Sequence, residues 1–129
     1  MSYKVYYEDT DCLGIVYYAN YLKFLERGRS EFLAAHGTTA ADWNREGYLL
    51  VVHSMHITYR RAASLGEMLE VVSSFTLKSR FRGTFHQRIE RAGERIVEAG
   101  VDVVCLDVDQ KLISFPAALQ ELGQPRSIR

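Results

Sequence analysis

From Tyr18 to Ala35 this 129-residue chain spaces apolar residues three and four apart, whereas the long segments after Tyr48 are rich in Val, Ile, Thr, Tyr and Phe. That single change of period constrains the fold more than any other feature. Tyr18, Tyr21, Leu22, Leu25, Gly28, Phe32 and Ala35 fall on one helical stripe, and Lys23, Arg27, Ser30 and Glu31 fall mostly off it. Gly37 supplies a stop. Thr38 and Thr39 can cap a second, short helix holding Trp43, which Gly47 would end. Upstream, Tyr3 to Glu8 alternates like a short strand and runs into the turn cluster Asp9-Thr10-Asp11. Downstream, Leu49–Tyr59, Met68–Leu77, Thr84–Ile89 and Ile96–Leu106 read as strands, with Gly66, Gly83 and Gly93 separating them. Strands joined by short glycine-bearing turns make an antiparallel meander, and one long helix needs a broad sheet to lie on. The expected architecture is α+β, one long helix cupped by about five antiparallel strands. Phe115 to Gly123 reads as a small terminal helix, and Gln124 to Arg129 as a frayed tail.

With 47% hydrophobic and 25% charged residues and two prolines, residues 1–129 read as one domain. A chain of this size buries roughly two-thirds of its surface, enough for a core without staples. Sixteen Lys and Arg balance sixteen Asp and Glu, which excludes a generally basic nucleic-acid binder. Phe75, Phe81 and Phe85 alternate as core residues rather than as a base-stacking platform, so no nucleic-acid partner is expected. Cys12 and Cys105 are far apart and fit neither a disulfide framework nor a metal motif, which favours a reducing, cytoplasmic setting. The opening residues lack a basic start followed by an apolar run, and no segment is apolar for long enough to span a bilayer. We therefore expect no export signal and no membrane anchor.

The loop Glu8-Asp9-Thr10-Asp11-Cys12-Leu13-Gly14 places carboxylates and a glycine ahead of the long helix. Amides in the first turn of a helix, here near Tyr18 and Ala19, have no helical acceptor and can hold a developing oxyanion. A carboxylate beside them can attack a carbonyl or activate water. The same spacing also serves a loop in which Asp9 and Asp11 only shape the turn. His53 and His56, three apart in a strand, point to opposite faces, and no metal site is assigned.

The run from Tyr7 through Asp11, Gly14, Val16 and Tyr18 to Tyr21, followed by Phe24-Leu25-Glu26-Arg27, resembles the signature of the 4-hydroxybenzoyl-CoA thioesterase-like hotdog proteins. It is most similar to the acyl-CoA thioesterase branch associated with Tol-Pal. The likeness extends to Arg82-Gly83-Thr84 and to Val103-Val104-Cys105-Leu106-Asp107. It implies a hotdog fold, pairing into homodimers or homotetramers, and an acyl-CoA thioester as substrate, with coenzyme A entering as part of the substrate and no separate cofactor. Asp11 would be nucleophile or general base, the Tyr18 amide the oxyanion donor, and Gly14 and Val16 part of the Asp-x-x-Gly-x-Val core. Several relatives carry His where this chain has Tyr18, and a small residue where it has Leu13, so no imidazole is expected at the helix start. A sibling branch uses a helix glutamate, which makes Glu26 and Glu31 rivals to Asp11.

Between Lys78 and Arg95 six cations face two carboxylates, a local net charge of +4. Arg80 and Arg82, flanking the matched turn and set on one side by strand alternation, are expected to hold the coenzyme phosphates, with Arg60, Gly83 and Thr84. The alternative from another functional class is a hotdog that binds an acyl thioester without cleaving it, or serves as an assembly module. A dehydratase would need an Asp-x-Asn-x-x-His motif, which the sequence lacks.

Overall fold

The change of period after Tyr48 is realised as a sheet that carries the helix on one face. The computed structural model describes residues 1–123 apart from Cys12 and Thr38. The proposed cap at Thr38, the thiol of Cys12 and the tail from Gln124 thus lie outside the described residues. The strands are β1 (Ser2–Lys4), β2 (Leu49–Tyr59), β3 (Met68–Leu77), β4 (Arg82–Arg91), β5 (Glu94–Leu106) and β6 (Leu112–Ile113). They form one sheet in the order β1-β3-β4-β5-β2, with β6 pairing the end of β5, and every pair is antiparallel. The helices are α1 (Tyr21–Ala35), α2 (Ala40–Arg45) and α3 (Ala117–Gly123). This is the hotdog arrangement that the resemblance implies. No helix among the described residues is long and apolar enough to cross a membrane.

The expected strands over Leu49–Tyr59 and Met68–Leu77 match β2 and β3 end to end, while β4 and β5 begin two residues earlier than the expected segments. The first strand is shorter than expected. After Val5 donates to the Glu67 carbonyl, the chain leaves the sheet and turns through a 3₁₀ segment at Tyr7–Asp9. Gly66 and Gly93 sit in turns at positive φ, but Gly83 lies inside β4 opposite Leu77. It is there for space: a Cβ on Gly83 would lie 2.3 Å from the Phe75 ring.

The expected helical stripe holds in part: Tyr21, Leu25 and Gly28 are buried on α1, and Phe32 is half-buried. Tyr18–Asn20 forms a 3₁₀ turn before α1, and its three residues per turn in place of 3.6 take Tyr18 off the buried stripe. The buried positions of α1 are Tyr21, Phe24, Leu25, Gly28 and Leu33, whereas Tyr18 and Leu22 are exposed. At its middle the helix comes down onto the sheet without an intervening side chain. A Cβ on Gly28 would lie 2.4 Å from Val71 Cγ1. Beside it the buried Gln87 amide donates to the Leu25 carbonyl at 2.9 Å and to Ser73 Oγ at 3.0 Å. A glycine costs a helix about 1 kcal/mol relative to alanine, and this close approach offsets it. Downstream, Gly37 and Gly47 take positive φ after α1 and α2, and Thr39 caps α2 by accepting from the Asp42 amide.

Overpacking at Gly83 is the sharpest test of the core. Gly83→Ala is expected to lower unfolding stability by about 1–3 kcal/mol, read from urea denaturation midpoints. An unchanged midpoint would show that Phe75 can move aside.

Candidate active site

The two loop carboxylates have different fates. Asp9 is 2% exposed. One of its carboxylate oxygens accepts from the Tyr6 amide at 3.0 Å, and the other pairs with the Lys23 ammonium on α1. Its carbonyl accepts from the Tyr17 amide at 3.1 Å and the Asn20 side chain at 3.0 Å. Burial pushes the Asp9 carboxyl up, but the Lys23 and Tyr6 bonds and the nearby Arg27 outweigh it and hold it below the usual carboxylate value. Asp9 therefore ties the loop to the helix start, as the turn-shaping reading expects of it.

Asp11 remains half-buried at the mouth of a cavity. Its Oδ1 accepts from the Leu13 amide at 2.8 Å, and its carbonyl from the Gly14 amide at 3.1 Å, with Gly14 at φ +80°. Thr10 bridges to Val16 and Ile15 to Ser64, so the loop is a small closed hairpin pinned against the chain between β2 and β3. Val16 is buried beneath it and donates to the Ala63 carbonyl at 2.8 Å. The core thus holds the loop from below while Asp11 stays open above.

The cavity, about 440 Å³, is lined by Asp11, Ile15, Val16, Tyr17, Tyr18, Tyr21, Tyr59, Arg60, Arg61 and Ala62. Of the sequence-based site residues, Asp11, Val16, Tyr18 and Arg60 come together here, and Gly14 shapes the same loop. Tyr18 opens the 3₁₀ turn, where its N–H precedes any helical acceptor. Among the described residues no group accepts from it. The Tyr59 hydroxyl donates to the Tyr18 carbonyl at 3.2 Å, and the Tyr21 hydroxyl accepts from the Ala63 amide at 2.9 Å. Burial raises the Tyr21 and Tyr59 phenols, so both are neutral near pH 7. Sequence reasoning missed Tyr59 because it closes a strand 41 residues from its partner.

Arg80, Arg82, Gly83 and Thr84 gather elsewhere. They lie at the far end of β4 from Arg91, whose guanidinium bonds the Ala62 carbonyl at the cavity, a separation of roughly 30 Å along the strand. Arg80 lies before β4, so alternation does not set it on one side with Arg82, contrary to expectation. Its carbonyl accepts from Phe115, and its guanidinium stands 5.7 Å from the Phe81 ring centroid. Thr84 donates to Asp102 at 2.6 Å. Most of the local positive charge is internally balanced: Arg88 pairs with Glu90, Arg91 with Glu67 and Glu94, Arg95 and Arg60 with Glu98, Arg61 with Glu94, and Lys78 with Asp102. Arg80 and Arg82 are exposed and have no carboxylate among the described residues. Glu26 and Glu31 are exposed on α1 and do not line the Asp11 cavity. No cluster of His, Cys, Asp and Glu among the described residues could hold a metal ion.

A carboxylate and a helix-start amide that share one cavity have the chemistry to cleave an activated carbonyl. The family model of the thioesterase-like superfamily matches residues 5–122. The chain belongs to the thioesterase-like superfamily. It is 38% identical to the acyl-CoA thioester hydrolase YbgC of Escherichia coli, over 97% of this chain and 88% of that protein. The acyl-CoA thioesterase YbgC of Haemophilus influenzae is 37% identical over 88% and 85%. Among solved structures, a probable thioesterase from Bartonella henselae superimposes with a TM-score of 0.84 at 31% identity, covering 90% of this chain and 97% of that one. This member of the superfamily is therefore an enzyme, a thioester hydrolase.

The Asp9 tether makes a pH-dependent contribution of known sign. A carboxyl whose folded value is depressed adds stability above its unfolded value, near 4, and loses it as pH falls through the lower folded value. Asp9→Asn is expected to cost about 3 kcal/mol at pH 7, with the gap to wild type closing below pH 4. Urea titrations across that range check it, and a gap independent of pH would remove the ionic contribution.

Proposed function

We propose that this enzyme hydrolyses an acyl-CoA thioester to the free acid and coenzyme A at the cavity that Asp11 and Tyr18 share. The reading is carried by that juxtaposition: an accessible carboxylate, distinct from the saturated Asp9, beside an amide with no acceptor among the described residues. The thioester carbonyl oxygen takes the Tyr18 N–H, which stabilises the negative charge that grows on it during attack. Asp11 either removes a proton from the attacking water or adds to the carbonyl carbon itself, giving an anhydride that water then opens. In both routes the C–S bond breaks and the coenzyme leaves as thiolate, to be protonated from solvent. Arg80 and Arg82 are the free cations suited to the coenzyme phosphates, and they reach the cavity from a second copy of the chain.

A second copy is supported by the free edge of β2. This strand is 11 residues long, pairs among the described residues with β5 alone, and exposes Val51, Val52 and Tyr59 by 39%, 44% and 41%. Long apolar edges invite another strand. Pairing of two β2 edges about a two-fold axis yields a homodimer, and such dimers can pair again. The buried, unpaired Cys105 thiol supports a reducing, cytoplasmic setting.

Thiol release from a panel of acyl-CoAs tests the reaction. Asp11→Asn, which keeps shape and removes charge, is expected to lower kcat by about 10²-fold or more with the fold intact by circular dichroism. Equal turnover by both proteins would remove Asp11 from the chemistry. Light scattering is expected to give a mass of two or four chains, and a monomer at micromolar concentration would overturn the edge pairing.

A further inference from the structure

Arg29 is anomalous among the arginines. Arg45, Arg60, Arg61, Arg88, Arg91 and Arg95 each hold a carboxylate, and Arg27, Arg80 and Arg82 are open to water. Arg29 alone, among the described residues, is half-buried with no carboxylate on it. Its Nη1 donates to Gln87 Oε1 at 3.0 Å. Burial pushes its pKa down, and the exposed Glu26, which makes no ion pair with it, opposes that shift. A guanidinium carries five donors, and a desolvated one without a counter-ion is costly unless something else completes it.

What it faces is a groove of about 320 Å³ between α1 and the β2 edge, walled by Leu33, Leu50, Val52, Phe85 and Val103 and lined as well by Glu26 and Ser30. A largely apolar slot whose half-buried cation has no ion-pair partner, its one carboxylate Glu26 being exposed to water, suits a hydrocarbon ending in an oxygen acceptor. Its place on β2 is as informative as its chemistry. The Asp11 cavity lies at the Tyr59 end of β2, and the Arg29 groove at the Leu50–Val52 end. In the antiparallel edge pairing proposed for β2, a strand running Leu49 to Tyr59 meets its copy running the other way, so each Asp11 cavity abuts the copy's Arg29 groove.

We propose that Arg29 of the second copy reads the far end of the acyl group, and that the enzyme prefers acyl chains ending in an oxygen acceptor, a carboxylate best, over plain hydrocarbon chains. This rests on the thioesterase reaction and on the pairing of β2 edges. A bidentate carboxylate would complete the guanidinium, whereas a methyl terminus would leave it unsatisfied in an apolar wall.

Three CoA thioesters of equal length test this: hexanoyl, 6-hydroxyhexanoyl and adipoyl. The wild type is expected to show kcat/KM for adipoyl-CoA about tenfold or more above hexanoyl-CoA, with the hydroxyl-ended chain between them. In Arg29→Met that ratio is expected to collapse towards one, and in Arg29→Lys to recover in part. An arginine that only braces Gln87 would lower all three substrates together and leave the ratio in place, which would overturn the proposal. So would a wild type that turns over hexanoyl-CoA as well as adipoyl-CoA while still depending on Asp11, an outcome that spares the proposed reaction. Binding of the three thioether analogues, read by calorimetry, reports the same preference without turnover. If no thioester is cleaved, the proposed reaction fails, and the ratio of thioether affinities in wild type and Arg29→Met still decides the role of Arg29.

Discussion

The geometry of the site depends on how closely α1 lies on the sheet. Gly28 lets the helix backbone reach Val71 with no side chain between, and Gln87 fixes its height by bonding the Leu25 carbonyl. Hydrophobic burial alone would hold the helix on the sheet but would not set its distance or its slide along the axis, because that force is non-directional. A buried amide at 2.9 Å sets both, and leaving it unpaired would cost about 1–3 kcal/mol. With the middle of α1 fixed, its start at Tyr18–Tyr21 is fixed too, and with it the direction of the Tyr18 N–H.

From that anchor the loop carboxylates divide their work. Asp9 is inside, saturated by the Tyr6 amide and Lys23, and it binds the loop to α1 through two further bonds to its carbonyl. Asp11, two residues on, is outside the core because the hairpin closed by Thr10 and Val16 turns it towards the cavity. The role proposed for Asp11 requires a carboxylate that is accessible and yet held, and one buried neighbour meets the second requirement without compromising the first. The phenols of Tyr21 and Tyr59 extend the same logic to the other wall, one bracing Ala63 and the other the Tyr18 carbonyl.

Local pattern made the elements legible, and long-range partners made the site. The β-rich composition of Leu49–Tyr59 and Met68–Leu77 located β2 and β3 to the residue, because Gly47 precedes the first and Gly66 the second, and charged residues follow both. Asp11, Val16 and Tyr18 could be named together because they are close in sequence and the hairpin keeps them close in space. The stripe of α1 was legible at Tyr21, Leu25 and Gly28 but not the exposure of Tyr18, since the 3₁₀ turn at Tyr18–Asn20 carries no apolar signature of its own. Nor was the separate role of Asp9, which depends on Lys23 14 residues away, or the support from Gln87, 62 residues from Leu25. Gly83 reads as a turn glycine until Phe75 is seen lying against it. The excess of arginine between Lys78 and Arg95 is real as composition, but Glu67 and Glu98, outside that window, absorb much of it.

Charge pairing therefore separates arginines that stabilise the sheet from those that are free for a ligand. A paired guanidinium has its field cancelled at short range and adds little to recruitment of an anion, whereas an unpaired one keeps its full attraction. Two kinds of unpaired arginine result among the described residues: exposed ones such as Arg80 and Arg82, screened by water and suited to a hydrated phosphate, and the half-buried Arg29, suited to a group that has itself left water. The two ends of an acyl-CoA differ in the same way, a polyanionic nucleotide at one and an acyl terminus inside the protein at the other. Pairing of the β2 edges is what would bring both kinds of cation within reach of one Asp11, so the exposed apolar edge of the isolated chain is also what would assemble its site.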